Sequence, residues 1–336
     1  MNKKIFFSFL ILVMIGGCVK ENSPKKISFY HWKSKAIYSK TFENAINASR
    51  TNKIYLHYFD VNTVHNPNRN NDEIFPTYVL KNVSKEYQDF KIIPVVYIRN
   101  NVFKTKDLDI TELSDRIQKL INQITEKHFD IKIKQIQIDC DWTESTRGAY
   151  FELLKNLQKY FEVDVTIRLH QVKFKERTGV PPVKNGTLML YNVGDLNSKQ
   201  HNSILESSIV DQYINAETNY PLTLNIALPL FSQTIVSNLN NEIKIIKDTE
   251  RPILENDSHF KKIDEVNFMI VKDTLFKGFF LYKGYNLKLE ELKESEIIAS
   301  YKIIKKSNLK INEIIFYHLD ETSLLDINLI NLIEKI

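Results

Sequence analysis

Eight short runs of apolar, β-branched or aromatic residues recur along the chain, and most are separated by stretches with helical spacing of apolar positions. Such runs predict strands, and strands that alternate with helices are typical of a parallel sheet. The predicted strands are Ile27–His31, Lys53–Phe59, Lys91–Ile98, Lys134–Trp142, Val163–His170, Thr187–Asn192, Leu222–Leu230 and Glu313–Leu319. The helices predicted after the first four strands are Thr41–Ser49, Phe75–Tyr87, Ile110–Lys127 and Gly148–Phe161.

Eight such repeats over roughly 310 residues predict the fold class α/β, as a closed (β/α)8 TIM barrel spanning residues 27–336. The runner-up is an open doubly wound sheet. It is disfavoured because no glycine-rich phosphate loop follows the first strand, and the chain has 8 glycines in all.

The connection between the seventh and eighth predicted strands is too long for one crossover helix. It contains three short strand-like runs and a helical pattern, so we expect a small α+β insertion at residues 240–310 or thereabouts. These elements are Val266–Val271, Gly278–Tyr282, Leu287–Leu289 and the helix Leu289–Lys306.

Three predicted strands alternate strictly between polar and apolar side chains. Because the side chains that face the barrel helices must be apolar, the polar sides point into the barrel. We expect the inward polar side chains deep in the barrel to hydrogen-bond with one another. An ion pair between Arg168 and Asp139 is one way in which such buried polar groups could be paired. The inward set comprises Gln135, Gln137, Asp139, Asp141, Asp164, Thr166, Arg168, His170, Thr223 and Asn225.

Active sites of this fold lie at the carboxyl ends of the barrel strands. We therefore expect the residues at those ends to line one ligand pocket. Trp142 has outward parity, and ordinary packing is favoured for it. The candidate residues at these strand ends are His31, Trp32, Tyr58, Asp60, Arg99, Asn100, Asp139, Asp141, Arg168, His170, Gln171, Tyr191, Asn192, His318 and Asp320.

The amino terminus has the features of an export signal. Lys3 and Lys4 precede the apolar run Ile5 to Met14, which is too short to span a bilayer. The following Ile15-Gly16-Gly17-Cys18 resembles a bacterial lipobox. We expect cleavage of residues 1–17, lipidation of Cys18, a polar tether over 18–26, and anchoring to a membrane of the cell envelope.

Charge and cysteine content exclude other classes. The formal net charge is +5, and removal of residues 1–17, which hold two lysines and no acids, leaves +3. Charges of both signs are interspersed, so nucleic-acid binding has no support. Cys140 has no second cysteine to pair with once Cys18 is acylated, so no disulfide framework is expected.

Two segments resemble a known enzyme family. Ile138-Asp139-Cys140-Asp141-Trp142 is similar to the core of the family-18 glycoside hydrolase signature, Asp-Gly-x-Asp-x-Asp-x-Glu, on the fourth barrel strand. Leu188-Met189-Leu190-Tyr191-Asn192 resembles that family's Met-x-Tyr-Asp on the sixth strand. That family also carries a small insertion after the seventh strand. The resemblance implies that Asp141 and Tyr191 orient the acetamido group of an N-acetylhexosamine.

Over more of its length the chain resembles a family of Bacteroidota lipoproteins, a likeness that implies no activity. It is carried by Phe29-Tyr30-His31-Trp32, Ile167-Arg168-Leu169-His170-Gln171 and Thr178-Gly179-Val180-Pro181-Pro182.

The chain departs from the hydrolase signature at the catalytic acid, which falls on Thr143, a residue that cannot deliver a proton near neutral pH. Glu144 is one position late and reaches the pocket only if the strand bulges or ends at Trp142. Otherwise it complements the dipole of a helix capped by Thr143 or Ser145. Alternatively, Asp139 and Asp141 form the working pair, one protonated and one ionised.

Three functions stay open from the sequence. The first is a lipid-anchored, glycoside-hydrolase-like barrel that acts on or binds a carbohydrate without a cofactor. The second is a non-catalytic glycan binder, with Trp32, Trp142, Tyr58 and Tyr191 as the candidate stacking platforms, although ordinary packing is the alternative for all four. The third is a metal-dependent hydrolase, disfavoured because His31, His170 and His318 match no metal-ligand spacing.

Overall fold

The structure, a computed structural model, describes residues 26–66, 71–198, 200–247, 249–325 and 327–336. Eight parallel strands form a barrel: β1 Ile27–His31, β2 Lys53–Asn66, β3 Lys91–Ile98, β4 Gln135–Asp139, β5 Glu162–Arg168, β6 Asn185–Met189, β7 Thr223–Pro229 and β8 Ile311–Tyr317.

The barrel is closed, because β1 pairs in parallel with both β2 and β8 while every other strand pairs with its neighbours in chain order. This confirms the predicted (β/α)8 fold. The helices are α1 Lys40–Ser49, α2 Ile110–His128, α3 Arg147–Leu157, α4 Leu169–Lys173, α5 Lys175–Thr178, α6 Ser207–Tyr213, α7 Arg251–Asn256, α8 Glu294–Lys306, α9 Glu321–Leu325 and α10 Leu329–Lys335, with 3-10 turns at Lys85–Asp89 and Asn100–Lys104.

Helix α2 shows why the apolar spacing produces these elements. The Asp109 side chain caps it by accepting a hydrogen bond from the Glu112 backbone N–H at 2.8 Å. Leu113, Ile117 and Ile121, spaced four residues apart, are buried against the barrel.

The segment after β2 differs from the prediction. Strand β2 continues past Phe59, and its second half pairs antiparallel with a strand over Asn71–Thr77. The predicted helix Phe75–Tyr87 is therefore wrong. The physical reason is that Ile74, Phe75 and Pro76 extend a hairpin, whose ladder satisfies the backbone groups that a helix would otherwise satisfy.

A second, antiparallel sheet lies between β7 and β8. Its strands are Gln233–Ser237, Ile243–Lys247, Phe260–Lys262, Asn267–Ile270 and Asn286–Glu290, accompanied by a small hairpin of Thr274–Phe276 and Phe279–Leu281. We call the five-stranded unit the inserted sheet. It has its own apolar core, formed around Phe268, Leu254 and Leu287.

The inserted sheet differs in its bounds from the expected elements. It begins at Gln233, ahead of the expected residue 240. Helix α8 begins at Glu294 and not at Leu289, because Leu289 and Glu290 still pair with Thr234 and Gln233.

The deep barrel interior is polar, and its side chains form hydrogen bonds with one another. Gln137 accepts a hydrogen bond from the Tyr30 hydroxyl at 2.6 Å and donates one to Thr187 Oγ1 at 2.9 Å. Gln135 donates to Asp164 Oδ2 at 2.8 Å. At the amino-terminal end of the barrel, Lys53 and Ser28 both donate to the buried Glu313 carboxylate.

The expected signal peptide, Cys18 and all of the tether except Lys26 lie outside the described residues. Within the described ranges, no helix has both the length and the apolar character that crossing a bilayer requires.

Candidate functional site at the barrel mouth

Two aspartates and an arginine meet where β4 and β5 end. Arg168 donates from Nε to Asp141 Oδ1 at 2.6 Å and from Nη2 to Asp141 Oδ2 at 3.1 Å. Asp139 accepts a hydrogen bond from Thr166 Oγ1 at 2.6 Å. The expected Arg168–Asp139 ion pair is therefore wrong: Thr166 hydrogen-bonds to Asp139, and the guanidinium pairs with the next inward carboxylate.

The two carboxylates lie in different environments. Asp139 is buried, and burial, reinforced by the charge of Asp141, raises its pKa to about 6. The hydrogen bond from Thr166 and the charge of Arg168 oppose that rise. Asp141 retains 44% side-chain exposure. Burial is the largest single effect on the Arg168 pKa and lowers it, but the hydrogen bond to Asp141 and the charges of Asp141 and Asp139 together outweigh burial and raise that pKa.

An aromatic wall faces this cluster. Tyr191 stacks on Tyr317 with ring centroids 4.5 Å apart, and Trp32 lies 5.7 Å from Tyr317. Phe231 contacts both tyrosines edge-on. Tyr191 is buried and its carbonyl accepts from Arg168 Nη1 at 3.3 Å, whereas Trp32 is half-buried and exposes part of its ring.

A histidine–aspartate pair joins the mouth beneath Trp32. Asp60 is one of the expected strand-end residues, whereas sequence reasoning missed His57. His57 Nε2 lies 2.7 Å from Asp60 Oδ1, and its ring centroid is 4.8 Å from that of Trp32. His57 Nδ1 is buried and has no hydrogen-bond partner among the described residues. Lys53 and Tyr55 have inward parity, and continuing that alternation by one step reaches His57.

Tyr97 is a second residue that was missed. It stands opposite Asp139 in the β3–β4 ladder. Burial, with smaller contributions from Asp139 and Asp141, raises its pKa to about 12, so its hydroxyl is a neutral hydrogen-bonding group at the mouth.

Two predicted pocket residues face the helices. Tyr58 follows the inward-facing His57 and so has outward parity, and its hydroxyl hydrogen-bonds with Thr125 of α2 at 3.3 Å. His31 hydrogen-bonds with Tyr87, and burial lowers its pKa to about 4. Tyr58 and His31 are therefore structural residues of the barrel wall, which corrects their expected place in the pocket.

His318 and Asp320 form a separate group at the rim. Asp320 pairs with Lys33 and accepts from the Thr322 backbone N–H at 3.1 Å, at the start of α9. Burial is the largest single effect on the Asp320 pKa and raises it, but the hydrogen bond and charge of Lys33, with smaller contributions from His318 and the Ser323 backbone N–H, together lower that pKa. Burial lowers the pKa of His318 to about 3, so this imidazole is neutral.

The other sequence-predicted residues lie around the mouth or outside it. The Glu144 carboxylate is 3.7 Å from Arg177 and is 62% exposed, so it points to the surface. His170 in α4 and Asn192 at φ 53° are both exposed, next to the cluster along the chain. Trp142 is buried, as its parity predicts, and donates to the Thr178 carbonyl at 3.0 Å.

Metal ligation has no ligand set in the described ranges, where no group of three or more His, Cys, Asp or Glu side chains is arranged to hold an ion. The mouth holds two carboxyls in different environments, one buried with a raised pKa and one paired with Arg168, together with aromatic rings. Such a site can donate a proton, accept hydrogen bonds from hydroxyls and stack on a sugar face.

No family model matches the chain, and no curated protein gives a significant sequence match. The solved C-terminal domain of a putative chitinase from Desulfitobacterium hafniense DCB-2 is similar, with 11% identity, coverage of 93% of this chain and 99% of that chain, and a TM-score of 0.54. The spore cortex-lytic enzyme SleL from Bacillus cereus shares 12% identity over 93% of this chain and 74% of that chain, with a TM-score of 0.47.

These likenesses bear on the fold. At 11% identity, the match to the chitinase domain is evidence for a shared architecture and is not evidence about activity. The protein is thus a closed eight-stranded parallel barrel similar to glycoside-hydrolase barrels, with polar residues and aromatic rings at the carboxyl ends of its strands.

Proposed function

We propose that the barrel mouth binds a carbohydrate. The observation that carries the proposal is the partly exposed ring of Trp32, which contacts Tyr317 and His57 at the same end of the barrel as Asp139 and Asp141. An aromatic face and carboxylates at one barrel mouth suit a sugar ring, which presents apolar C–H groups on one face and hydroxyls at its edge.

The glycan proposed is one that contains an N-acetylhexosamine. Asp141 and Tyr191 occupy the positions that resemble the acetamido-orienting residues of family-18 enzymes, and Tyr191 lies in the aromatic wall. The name of one similar solved structure, the C-terminal domain of a putative chitinase, agrees with this choice of substrate class.

Hydrolysis is the finer proposal, and it assigns the proton donor to Asp139. A carboxyl whose pKa is raised to about 6 is partly protonated near neutral pH and can act as a general acid. Asp141, paired with Arg168, would orient the substrate. Glu144 points away and Thr143 is exposed, so neither serves as the acid.

A non-catalytic glycan binder is the second candidate. It is favoured by the Arg168–Asp141 pair, because two hydrogen bonds from the guanidinium already engage the carboxylate that would otherwise meet the acetamido group. In this account Trp32 and the tyrosines supply binding, and no bond is cleaved.

Calorimetric titration of the full chain with chitobiose and with a panel of other disaccharides tests binding. Enthalpy changes that saturate with chitobiose and that are lost in Trp32→Ala support the proposal. Absence of heat for every sugar in the panel rejects it. Reducing-end assays on the same mixtures separate a hydrolase from a binder.

We also propose that the chain is a lipoprotein of the cell envelope, acylated at Cys18. The support is the sequence Ile15-Gly16-Gly17-Cys18 at the end of a short apolar run. Cys18→Ala should abolish incorporation of a labelled fatty acid. Unchanged labelling of that variant would exclude Cys18 as the anchor.

A further inference from the structure

A cavity of about 450 Å³ lies where the barrel rim meets the inserted sheet, next to the mouth. We call it the junction cavity. Its apolar lining includes Leu230, Phe231 and Leu292, and its polar lining includes Thr249, Arg251 and Ser323. Its size falls within the range of small-molecule sites in proteins.

Two hydroxyls in the lining have no hydrogen-bond partner. Thr249 is 1% exposed and Ser323 is 4% exposed, and within the described part of the chain neither Thr249 Oγ1 nor Ser323 Oγ forms a hydrogen bond. Buried hydroxyls in native proteins are nearly always paired, so two unpaired ones on one cavity indicate a missing polar partner.

The charges of the cavity lining indicate which class of ligand would supply the missing hydrogen-bond partner. The cavity is lined by two acids, Glu250 and Glu291, and two bases, Arg251 and Lys293. Arg251 is already engaged: its guanidinium pairs with the Glu291 carboxylate and donates to the Glu265 carbonyl at 2.7 Å. The lining thus carries equal numbers of positive and negative charges, and one positive and one negative side chain already pair with each other. This balance favours a neutral ligand rich in hydroxyls.

Phe231 forms a wall that the cavity shares with the mouth. Its ring lines the junction cavity, and it also lies 6.3 Å from Tyr191 and 5.8 Å from Tyr317 in the aromatic wall. A chain of sugars bound at the mouth therefore has a second polar compartment directly across one aromatic side chain.

We infer that the junction cavity is a second carbohydrate subsite, which takes a neutral sugar unit of the glycan that binds at the mouth. This inference rests on the proposed function of the mouth. Thr249 and Ser323 hydrogen-bond to sugar hydroxyls, and Phe231, Leu230 and Leu292 contact the apolar face of the ring.

The test uses two sugars of different length, titrated against the full chain by calorimetry. Chitohexaose should bind more tightly than chitobiose. Thr249→Val and Ser323→Ala should each weaken chitohexaose binding by about tenfold, as expected for the loss of a hydrogen bond, and leave chitobiose binding unchanged.

Matched controls come from hydroxyls of the same kind elsewhere. Thr234 and Ser300 are also buried without a partner but do not line the cavity. Thr234→Val and Ser300→Ala should leave both affinities unchanged. Melting temperatures measured in parallel identify any variant that fails to fold, and a wild-type crystal soaked with chitohexaose tests the same contact without a substitution.

The outcomes separate the two proposals. If chitobiose binding depends on Trp32 but Thr249→Val and Thr234→Val have the same chitohexaose affinity, the subsite is rejected and the proposed site at the mouth is retained. The same conclusion follows if the soaked crystal shows sugar at the mouth alone. If neither sugar binds, both proposals are rejected. Sugar density beside Thr249 and Ser323, with the selective loss of chitohexaose affinity, confirms the inference.

Discussion

Arg168 holds the carboxylate of Asp141 through two parallel hydrogen bonds of 2.6 and 3.1 Å. Asp139, two residues earlier on the same side of the chain, receives no such pair and accepts from Thr166 instead. One carboxylate is thus neutralised by a guanidinium, whereas the other is buried with a pKa raised to about 6. Divergent environments for neighbouring carboxyls are the usual way in which proteins assign different roles to them.

The raised pKa of Asp139 predicts a pH dependence of folding. Because its pKa is higher in the folded state than in the unfolded chain, the native state binds more protons between about pH 4 and pH 6, and this group lowers stability as pH rises through that window. Asp139→Asn should remove the effect. The variant should gain up to about 3 kcal/mol in free energy of unfolding above pH 6 and nothing below pH 4.

Urea denaturation from pH 4 to pH 8 measures this difference. Asp130→Asn, at an exposed surface position, is the control and should follow the wild type throughout. A constant difference between Asp139→Asn and the wild type across the whole range would show that the Asp139 carboxyl is not perturbed.

If the protein hydrolyses a glycan, the acid can be identified by three amide substitutions. Asp139→Asn should reduce kcat by at least about a hundredfold, because it removes the proton donor. Asp141→Asn should also reduce kcat, through loss of orientation. Glu144→Gln should retain full activity, since Glu144 faces Arg177 at the surface. Loss of activity in Glu144→Gln, with activity retained in Asp139→Asn, would reverse the assignment.

Fluorescence distinguishes the two tryptophans. The chain has 2 tryptophans, and Trp142 is fully buried against Tyr150 while Trp32 is half-buried at the mouth. A sugar that stacks at the mouth should change the emission of Trp32. Trp32→Phe should lose that change and weaken binding by about tenfold, whereas Trp142→Phe should keep both. A signal that survives Trp32→Phe would place the sugar elsewhere.

The ion pair at the amino-terminal end of the barrel should matter for stability alone. Glu313 has 1% side-chain exposure and pairs with Lys53. Lys53→Met should therefore cost about 3 kcal/mol in the free energy of unfolding, because it leaves a buried carboxylate without its charge partner. Lys40→Met removes a pair whose lysine is 76% exposed and should be neutral. Equal effects of the two substitutions in denaturant titrations would contradict this account.

Strand periodicity was enough to predict the barrel. Ile27–His31 and Lys91–Ile98 have the predicted bounds, because a strand buried on both faces appears in the sequence as a continuous apolar run. The helix predicted at residues 75–87 was wrong because a short apolar run fits a strand or a helix equally well. Here the strand is stabilised by pairing with the second half of β2, which the local sequence does not reveal.

The site was predictable only where alternation is unbroken. Asp139, Asp141 and Arg168 come together as their parity on β4 and β5 indicates, and Trp142 is buried outside the barrel as expected. The bulge after His57 shifts the β2 register by one residue and brings Asp60 to the same side as His57. No local pattern marks that bulge, because it arises from pairing with β3.

The most direct test of the central claim is a crystal of the protein soaked with chitobiose at saturating concentration. We predict a sugar ring stacked on Trp32, with hydroxyl or acetamido groups within hydrogen-bonding distance of Asp139 or Asp141. Density for the sugar at any other surface, or an empty mouth at a concentration that saturates calorimetric binding, would contradict the account.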